Sequence, residues 1–407
     1  MMASKEASIP YAFLREDTAF KTNAGILQLP AAFVLGFVCV YLKTLVSMTP
    51  LLSLPDVLDK GLLFVGAAFL SLQIVSEAER YGTRLVPFLL FLLSTVYTYL
   101  ASGETAPLAV SLIIIAAATV ENPRLLVRLW LCITAFFSLF LIAVYALTAF
   151  LAPENFTYVL RFEGGVVSAV RLTFFFSHPN MVAAVVMMMC GAYMYLNYER
   201  LGFGSYAVVL AIALLVLFLT DSKTSTALIV LLVVCFAGQK RWGIFARRGM
   251  KGFIALLPLL LFGSVFLVAG PFYNDSLGNL LTGRVSLWHY CLLNQGVTLL
   301  GQQFMATQSI GFNGWVYYYT TLDCAYASGL FVLGLCFSTF FCWCIVALIK
   351  RDGPDLPVKL PLVLVMLVFG VTEVHIFSPV ICAPLLLLGG GLLPVQRAKS
   401  ASLNKAR

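Results

Sequence analysis

The stretch "RLTFFFSHPN", Arg171 to Asn180, sets a guanidinium and an imidazole beside a run of aromatic and apolar residues. Charge inside or beside a bilayer is costly and marks function by default. Pro179 fits the first turn of a helix, and Ser177 or His178 can cap it. A helix that begins here aims free N–H groups and the positive end of its dipole toward Arg171, which favours an anion.

The surrounding chain shows why that charge matters. Of 407 residues, 61% are hydrophobic and 11% charged, with a mean hydropathy of +0.96. Soluble domains carry about 25% charged residues, so the composition is that of an integral membrane protein. The net charge of +8 lies in short loops and does not point to nucleic acid. Ten cysteines are scattered through apolar runs such as "CFSTFFCWC", with no matched pair of CxxC motifs, and read as small apolar filler. The polar N-terminal stretch "MMASKEASIPYAFLREDTAFKTNAG" has no apolar core of a cleaved signal peptide.

A crossing helix needs about 20 apolar residues. By that measure the sequence predicts twelve spans, at roughly 28–48, 58–76, 84–101, 106–120, 127–151, 178–197, 204–220, 224–238, 252–271, 324–349, 358–373 and 376–394. The last two are split only by "TEVH" and also read as a re-entrant pair. The expected fold is an all-α integral membrane protein, a single polytopic domain over 1–407. With both termini cytoplasmic, 20 of the 26 Lys and Arg fall on the inner side, as the positive-inside rule requires. Lys43 and Lys60, near helix ends, read as side chains that snorkel to water. Arg161, Arg171, Lys223 and Arg284 fall on the outer face against the rule. Two extracytoplasmic loops, 152–177 and 272–323, exceed the length of ordinary turns. Within the second, Val285, Trp288, Leu292 and Leu299 recur at helical spacing, predicting an amphipathic interfacial helix over 284–300.

The outer cations share a pattern. "TDSKTS" repeats the device of the opening stretch, with Asp221 or Ser222 as cap and Lys223 at the helix mouth, and "LTGRVSLW" adds Arg284. Guanidinium groups fork onto phosphate oxygens, so these residues point to an outward-facing site for a phosphate-bearing ligand; anionic lipid head groups or local carboxylates are the plainer partners. Candidate bases are His178, Asp323 and Glu373, the last with His375 in the turn after the eleventh span. Asp323 reads equally as an ion-pair partner of an arginine. His289 falls on the exposed side of the interfacial helix, and Glu154, Glu163 and Asp275 are undistinguished loop carboxylates. Trp315, Tyr317, Tyr318, Tyr319 and Tyr326 read either as sugar-stacking aromatics or as an interfacial belt.

The ordered motifs "RLTFFFSHPNMVA", "TDSKTS", "LTGRVSLW…LLG", "LDCAYASGL" and the late glutamate of "GVTEVHIF" resemble the bacterial polysaccharide polymerases of the Wzy type, which are related to O-antigen ligases. The resemblance runs from about 171 to 380. Two positions depart from the family pattern: Lys223 stands where it has arginine, which keeps the charge but not the fork, and Cys324 stands where it has asparagine. The resemblance implies glycosyl transfer on the outer face of the bacterial cytoplasmic membrane. The substrate would be oligosaccharide repeat units on undecaprenyl diphosphate, delivered by a flippase, with chain-length or export proteins as further partners. It implies contacts to substrate from Arg171, Asn180, Lys223, Arg284 and Tyr326, with Arg161 on the same face, and neither metal nor other cofactor. The competing readings are a ligase that transfers finished glycan to an acceptor, a polysaccharide or solute transporter, and a structural subunit of an export complex. The sequence shows no similarity between its two halves of the kind many carriers carry.

Single cysteines introduced at 160 and 300 are expected to react with an impermeant thiol reagent in intact cells. Labelling only after permeabilisation would reverse the orientation and place the arginines on the other face.

Overall fold

The computed structural model describes residues 26–393 except 50–53, 156, 164–165, 275, 277–283, 305–306, 311–315, 320–321 and 352. The chain is a multi-pass membrane protein, mostly helical (78%). Among the described residues eight helices are long and apolar enough to cross a membrane: α1 (Ala31–Met48), α2 (Asp56–Ser76), α5 (Pro123–Leu151), α6 (Pro179–Leu196), α7 (Phe203–Thr220), α8 (Lys223–Trp242), α9 (Arg248–Ala269) and α11 (Ala325–Arg351). Three shorter apolar helices join them, α3 (Val86–Ser102), α4 (Ala106–Ala118) and α12 (Leu356–Phe369). Proline stands in the first turn of α3, α4, α5, α6 and α12, where its missing N–H costs nothing. Gly103 and Gly243, both at positive φ, close α3 and α8. At 1.5 Å per residue, the 13 residues of α4 rise only about 20 Å. That suffices because α4 faces protein, not lipid; Pro107 to Ala118 are all buried.

The helices alternate in direction. At one end Met48 O accepts from Ser177 N, Lys43 meets Asp59, and Ala325 N bonds Gly370 O. At the other, Arg80 meets Glu121 at 2.6 Å, Arg124 meets Asp355 at 3.0 Å, and Lys240 Nζ bonds the Leu201 carbonyl at 2.6 Å. The first will be called the hairpin end, for the strands it carries. Lys43 does not snorkel: it is buried, and pairs with Asp59 at 3.6 Å and with Thr105. The tails 1–25 and 394–407 lie outside the described residues.

The structure departs from the sequence reading in four places. The first long loop is not irregular: β1 (Tyr158–Glu163) and β2 (Val166–Leu172) form an antiparallel hairpin with a bulge at Arg161/Phe162. A second hairpin joins β3 (Thr307–Ile310) to β4 (Val316–Tyr319), so helices do not account for all the regular structure. The amphipathic helix, α10 (Arg284–Asn294), is shorter than its pattern. It stops at Gly296, whose φ is +69°, leaving Leu299 outside it and exposed, while Val285, Leu287 and Cys291 are its buried face. The predicted twelfth span is no continuous helix. Pro379, Pro384 and the run Gly389–Gly391 confine it to short turns at 374–377, 385–388 and 389–391. It passes from the hairpin end to the opposite end, where Arg351 Nη1 bonds Leu392 O at 2.8 Å. Trp130 Nε1 satisfies the Pro379 carbonyl at 2.9 Å on the way. Irregular backbone at membrane depth is tolerated only inside protein, and nearly every residue of 376–393 is buried.

The fourth departure is inside α11, which the sequence reads as one helix. It widens over Gly329–Leu333 and breaks at Gly334, φ +88°. The chain after α10 fills the break: Leu335 N bonds Thr298 O, Cys336 N bonds Leu299 O, and Gln302 N bonds Val332 O at 2.8–3.0 Å. Gln302 Nε2 adds a bond to Phe331 O at 2.9 Å, and Thr98 Oγ1 donates to Leu300 O. Two backbones touch here. A Cβ on Gly334 would stand 2.3 Å from Gly301 N, and one on Gly301 (φ +87°) would stand 2.6 Å from Val332 O. Gly334→Ala is therefore expected to cost on the order of 3 kcal/mol, from left-handed strain plus overpacking, read as a lower thermal midpoint in detergent. Gly252→Ala, which meets nothing within 4 Å, is the control that leaves it unchanged.

Candidate functional site

The opening stretch makes a tight reversal. β2 ends at Leu172, and Phe174 and Phe175 take left-handed φ values of 46° and 64°, which bulky residues adopt only when the surroundings compel it. Tyr145 is that surrounding: its ring lies 4.9 Å from Phe174 and 5.0 Å from Phe175, and its hydroxyl donates to the Thr157 carbonyl. The reversal brings the chain into α6 with His178 as N-cap, Nδ1 accepting from Asn180 N at 3.1 Å, and Pro179 in the first turn. Cap and proline are as the sequence predicts.

The consequence is a relay of side chains at the hairpin end. Arg171 Nη2 donates to Asn180 Oδ1 at 2.6 Å, and Asn180 Nδ2 donates to Glu373 Oε1 at 3.0 Å. The two bonds fix which way the amide points, oxygen to the guanidinium and nitrogen to the carboxylate. Arg171 Nε satisfies Thr220 O, at the C-terminus of α7, at 2.7 Å. Nη1 has no protein partner among the described residues. Glu373 is held from below. Ala325 N bonds Gly370 O at 2.9 Å, and Tyr326 Oη bonds Leu367 O at 2.7 Å, anchoring the end of α12 just ahead of it.

Burial pushes the Glu373 carboxyl up to about 7, and nearby Asp323 adds to the rise; the Asn180 bond, Arg284 and Arg171 oppose it. His375 Nε2 lies 3.7 Å from Glu373 Oε2. Burial, then His178, lowers the His375 imidazole to about 4, so this is a contact to a neutral ring and not an ion pair. Burial, then Arg171, also lowers His178. The site therefore holds a carboxyl that exchanges a proton near neutrality, flanked by neutral imidazoles and facing permanent cations.

The other expected residues divide. Arg284 pairs with Asp323 at 3.4 Å, both substantially exposed, and their charges act on Glu373 without bonding it. Arg161 is tied to Asp221 at 2.6 Å. Asp221 is no cap of α8, as the sequence suggested, but a left-handed residue (φ 47°) closing α7, and Ser222, at the cap position, makes no side-chain cap bond. Lys223 is exposed on the first turn of α8, its ammonium without a partner among the described residues. Tyr326 does not face a ligand: it is fully buried, edge-on to Phe262 at 5.0 Å. His289 is not on an exposed face; it stacks on Tyr273 at 3.8 Å and bonds Ala269 O at 2.6 Å. Glu154 is exposed in a short turn after α5, Glu163 ends β1, Tyr317–Tyr319 lie in β4, and Trp315 and Asp275 lie outside the described residues. Sequence reasoning missed Asn180 as a relay, giving it only a general substrate contact, and missed His375 as the wall behind Glu373. Its signal was the spacing Glu-Val-His after a helix end.

Among the described residues no group of three or more His, Cys, Asp or Glu could hold a metal ion. Comparison with family models, curated proteins and solved structures found no match, so the reading of the site rests on its geometry.

The raised Glu373 pKa has a thermodynamic signature. The folded chain keeps a proton that an unfolded carboxyl, at about 4.5, releases. This contribution to stability is thus full below about pH 4.5 and is lost as pH rises through about 7, on the order of 3 kcal/mol. His375, held neutral by a folded value of about 4 against 6.5 when unfolded, contributes a rise of similar size over nearly the same range. The Glu373 share is therefore read as a difference: the thermal midpoint of Glu373→Gln minus that of the native protein is expected to grow as pH rises from about 4.5 to 7.

Proposed function

We propose that the protein is a glycosyltransferase that polymerises lipid-diphosphate-linked oligosaccharide repeat units on the outer face of the cytoplasmic membrane, with the hairpin end outside. The observation that carries the reading is the chain of bonds from Arg171 through Asn180 to Glu373. It couples an anion-binding guanidinium to a carboxyl poised near neutral pH, the combination that a displacement at an activated anomeric carbon needs.

In this mechanism Arg171, with Arg284 across the site, neutralises the diphosphate of undecaprenyl diphosphate. The acceptor hydroxyl attacks the anomeric carbon, the bond from that carbon to the diphosphate oxygen breaks, and the hydroxyl proton passes to Glu373. The energy lies in the glycosyl–diphosphate bond, so neither nucleotide sugar nor ATP is consumed. Glu373 is a better base than His178, whose Nδ1 already caps α6, and than Asp323, which is paired with Arg284. Arg161, bonded to Asp221, holds the hairpin against the α7–α8 turn. Asn180 is a positioning residue, and Arg→Lys at 171 keeps charge while losing the forked geometry.

A transporter is the second reading, favoured by the discontinuous segments at 329–334 and 376–393, since carriers build their sites from broken helices. Here the titratable relay lies at one end of the bundle and not midway, which favours the transferase.

Purified protein in lipid, given lipid-diphosphate repeat units and a chelator, is expected to yield a ladder of glycans. Arg171→Ala and Arg284→Ala should abolish it with the protein still in the membrane, and Arg171→Lys should restore part. Glu373→Gln should lose about 10²–10⁴ in rate and the rise in rate through pH 7. Full-length product in both alanine variants would refute the diphosphate assignment; solute uptake without a ladder would establish the transporter.

A further inference from the structure

A cavity of about 200 Å³ lies beside His375, between the hairpin-end portions of α1, α4 and α11 and the turn after Glu373. That exceeds the about 150 Å³ that admits a single six-membered ring. Its chemistry is unlike that of the arginine face. Hydroxyls of Thr44, Ser47, Thr105 and Ser378 line it together with Glu104 and His375, and no Lys or Arg does among the described residues; Lys43 stands behind it, between Thr105 and Asp59. Thr44 Oγ1 and Ser47 Oγ spend their hydrogens on the carbonyls of Val40 and Thr44, at 2.9 and 2.8 Å. Thr105 Oγ1 instead accepts from Lys43 at 3.5 Å. The two donating hydroxyls therefore keep lone pairs for a ligand, and the Glu104 carboxylate is a further acceptor. With Lys43 already paired to Asp59 and Glu104 in the lining, a wall of acceptors suits a ligand that donates many O–H bonds and carries no negative charge. Met48 and Phe377 supply an apolar wall of the kind on which the C–H face of a sugar ring rests. His375 belongs both to this lining and to the contact with Glu373, 3.7 Å away, so a ligand held against His375 lies one residue's breadth from the base.

We infer that this cavity is the acceptor subsite, holding the neutral, polyhydroxylated body of the incoming repeat unit beside His375 while its terminal hydroxyl extends past the cavity rim to Glu373. The assignment rests on the transferase reading for its role, but not for the binding itself. The donor's diphosphate stays on Arg171 and Arg284, and the two substrates meet at Glu373.

The test varies free, lipid-less repeat-unit oligosaccharide as acceptor at fixed lipid-diphosphate donor. It also measures equilibrium binding of that same oligosaccharide with no donor present. Ser47 is exposed at the cavity mouth, so Ser47→Trp fills the space without disturbing the core, and Ser47→Ala is the mild variant. Ser47→Trp is expected to weaken acceptor KM and binding by about tenfold or more, and Ser47→Ala by less than about threefold. Binding weakened in Ser47→Trp while the wild type turns over no donor would sustain the sugar site and sink the transferase reading. Binding and KM unchanged in Ser47→Trp would overturn the acceptor assignment.

Discussion

In so apolar a chain, backbone groups away from water must find their partners inside the protein. An unsatisfied backbone group in hydrocarbon costs several kcal/mol. Among the described residues eleven apolar helices meet the requirement with their own hydrogen bonds. Where the backbone departs from helix, it borrows. The break in α11 is filled by the chain at 298–302, whose carbonyls and amides replace those of the missing turn, and this is possible because Gly301 and Gly334 bear no Cβ. The broken passage at 376–393 is closed by Trp130 and Arg351. The same rule governs the site: Arg171 satisfies the end of α7 and the side chain of Asn180 before any ligand arrives.

That economy links fold to chemistry. Asn180 is in the first turn of α6, Glu373 follows α12, and Arg171 ends a strand, so three elements distant in sequence converge within hydrogen-bond reach. Arg171 and Asn180 are brought together by the reversal between them, where the strained pair Phe174 and Phe175 packs tilted and edge-on against Tyr145. Burial then separates the roles of the titratable groups. The carboxyl of Glu373 rises toward 7 while the imidazoles fall, leaving one group able to take a proton at neutral pH beside cations that never lose theirs. A proton acceptor and a permanent cation are thereby set on one short path of bonds.

Much of this was legible in the sequence, because hydrophobic length and proline position are local signals. Eleven of the twelve expected spans are apolar helices with ends a few residues away, and the His178 cap at Pro179 follows from residue types alone. The rest was illegible for physical reasons. The twelfth segment is as apolar as its neighbours, and its prolines and glycines were outvoted by length. Tyr326 carries a motif position yet is core, since only tertiary packing tells a buried tyrosine from an exposed one. The hairpin at 158–172 alternates too weakly to outweigh a helical context. Glu373 was visible as a late carboxylate, but its bond to Asn180 joins residues 193 apart in sequence and has no local signature.

The central claim is that the arginine face at the hairpin end binds a lipid diphosphate. Its most direct measurement is equilibrium binding of undecaprenyl diphosphate to the protein in lipid nanodiscs, set against the matching lipid alcohol. The account predicts saturable binding of the diphosphate, about tenfold or more weaker in Arg171→Ala, and little binding of the alcohol. Equal affinity for the two lipids, or a diphosphate affinity indifferent to Arg171, would contradict it.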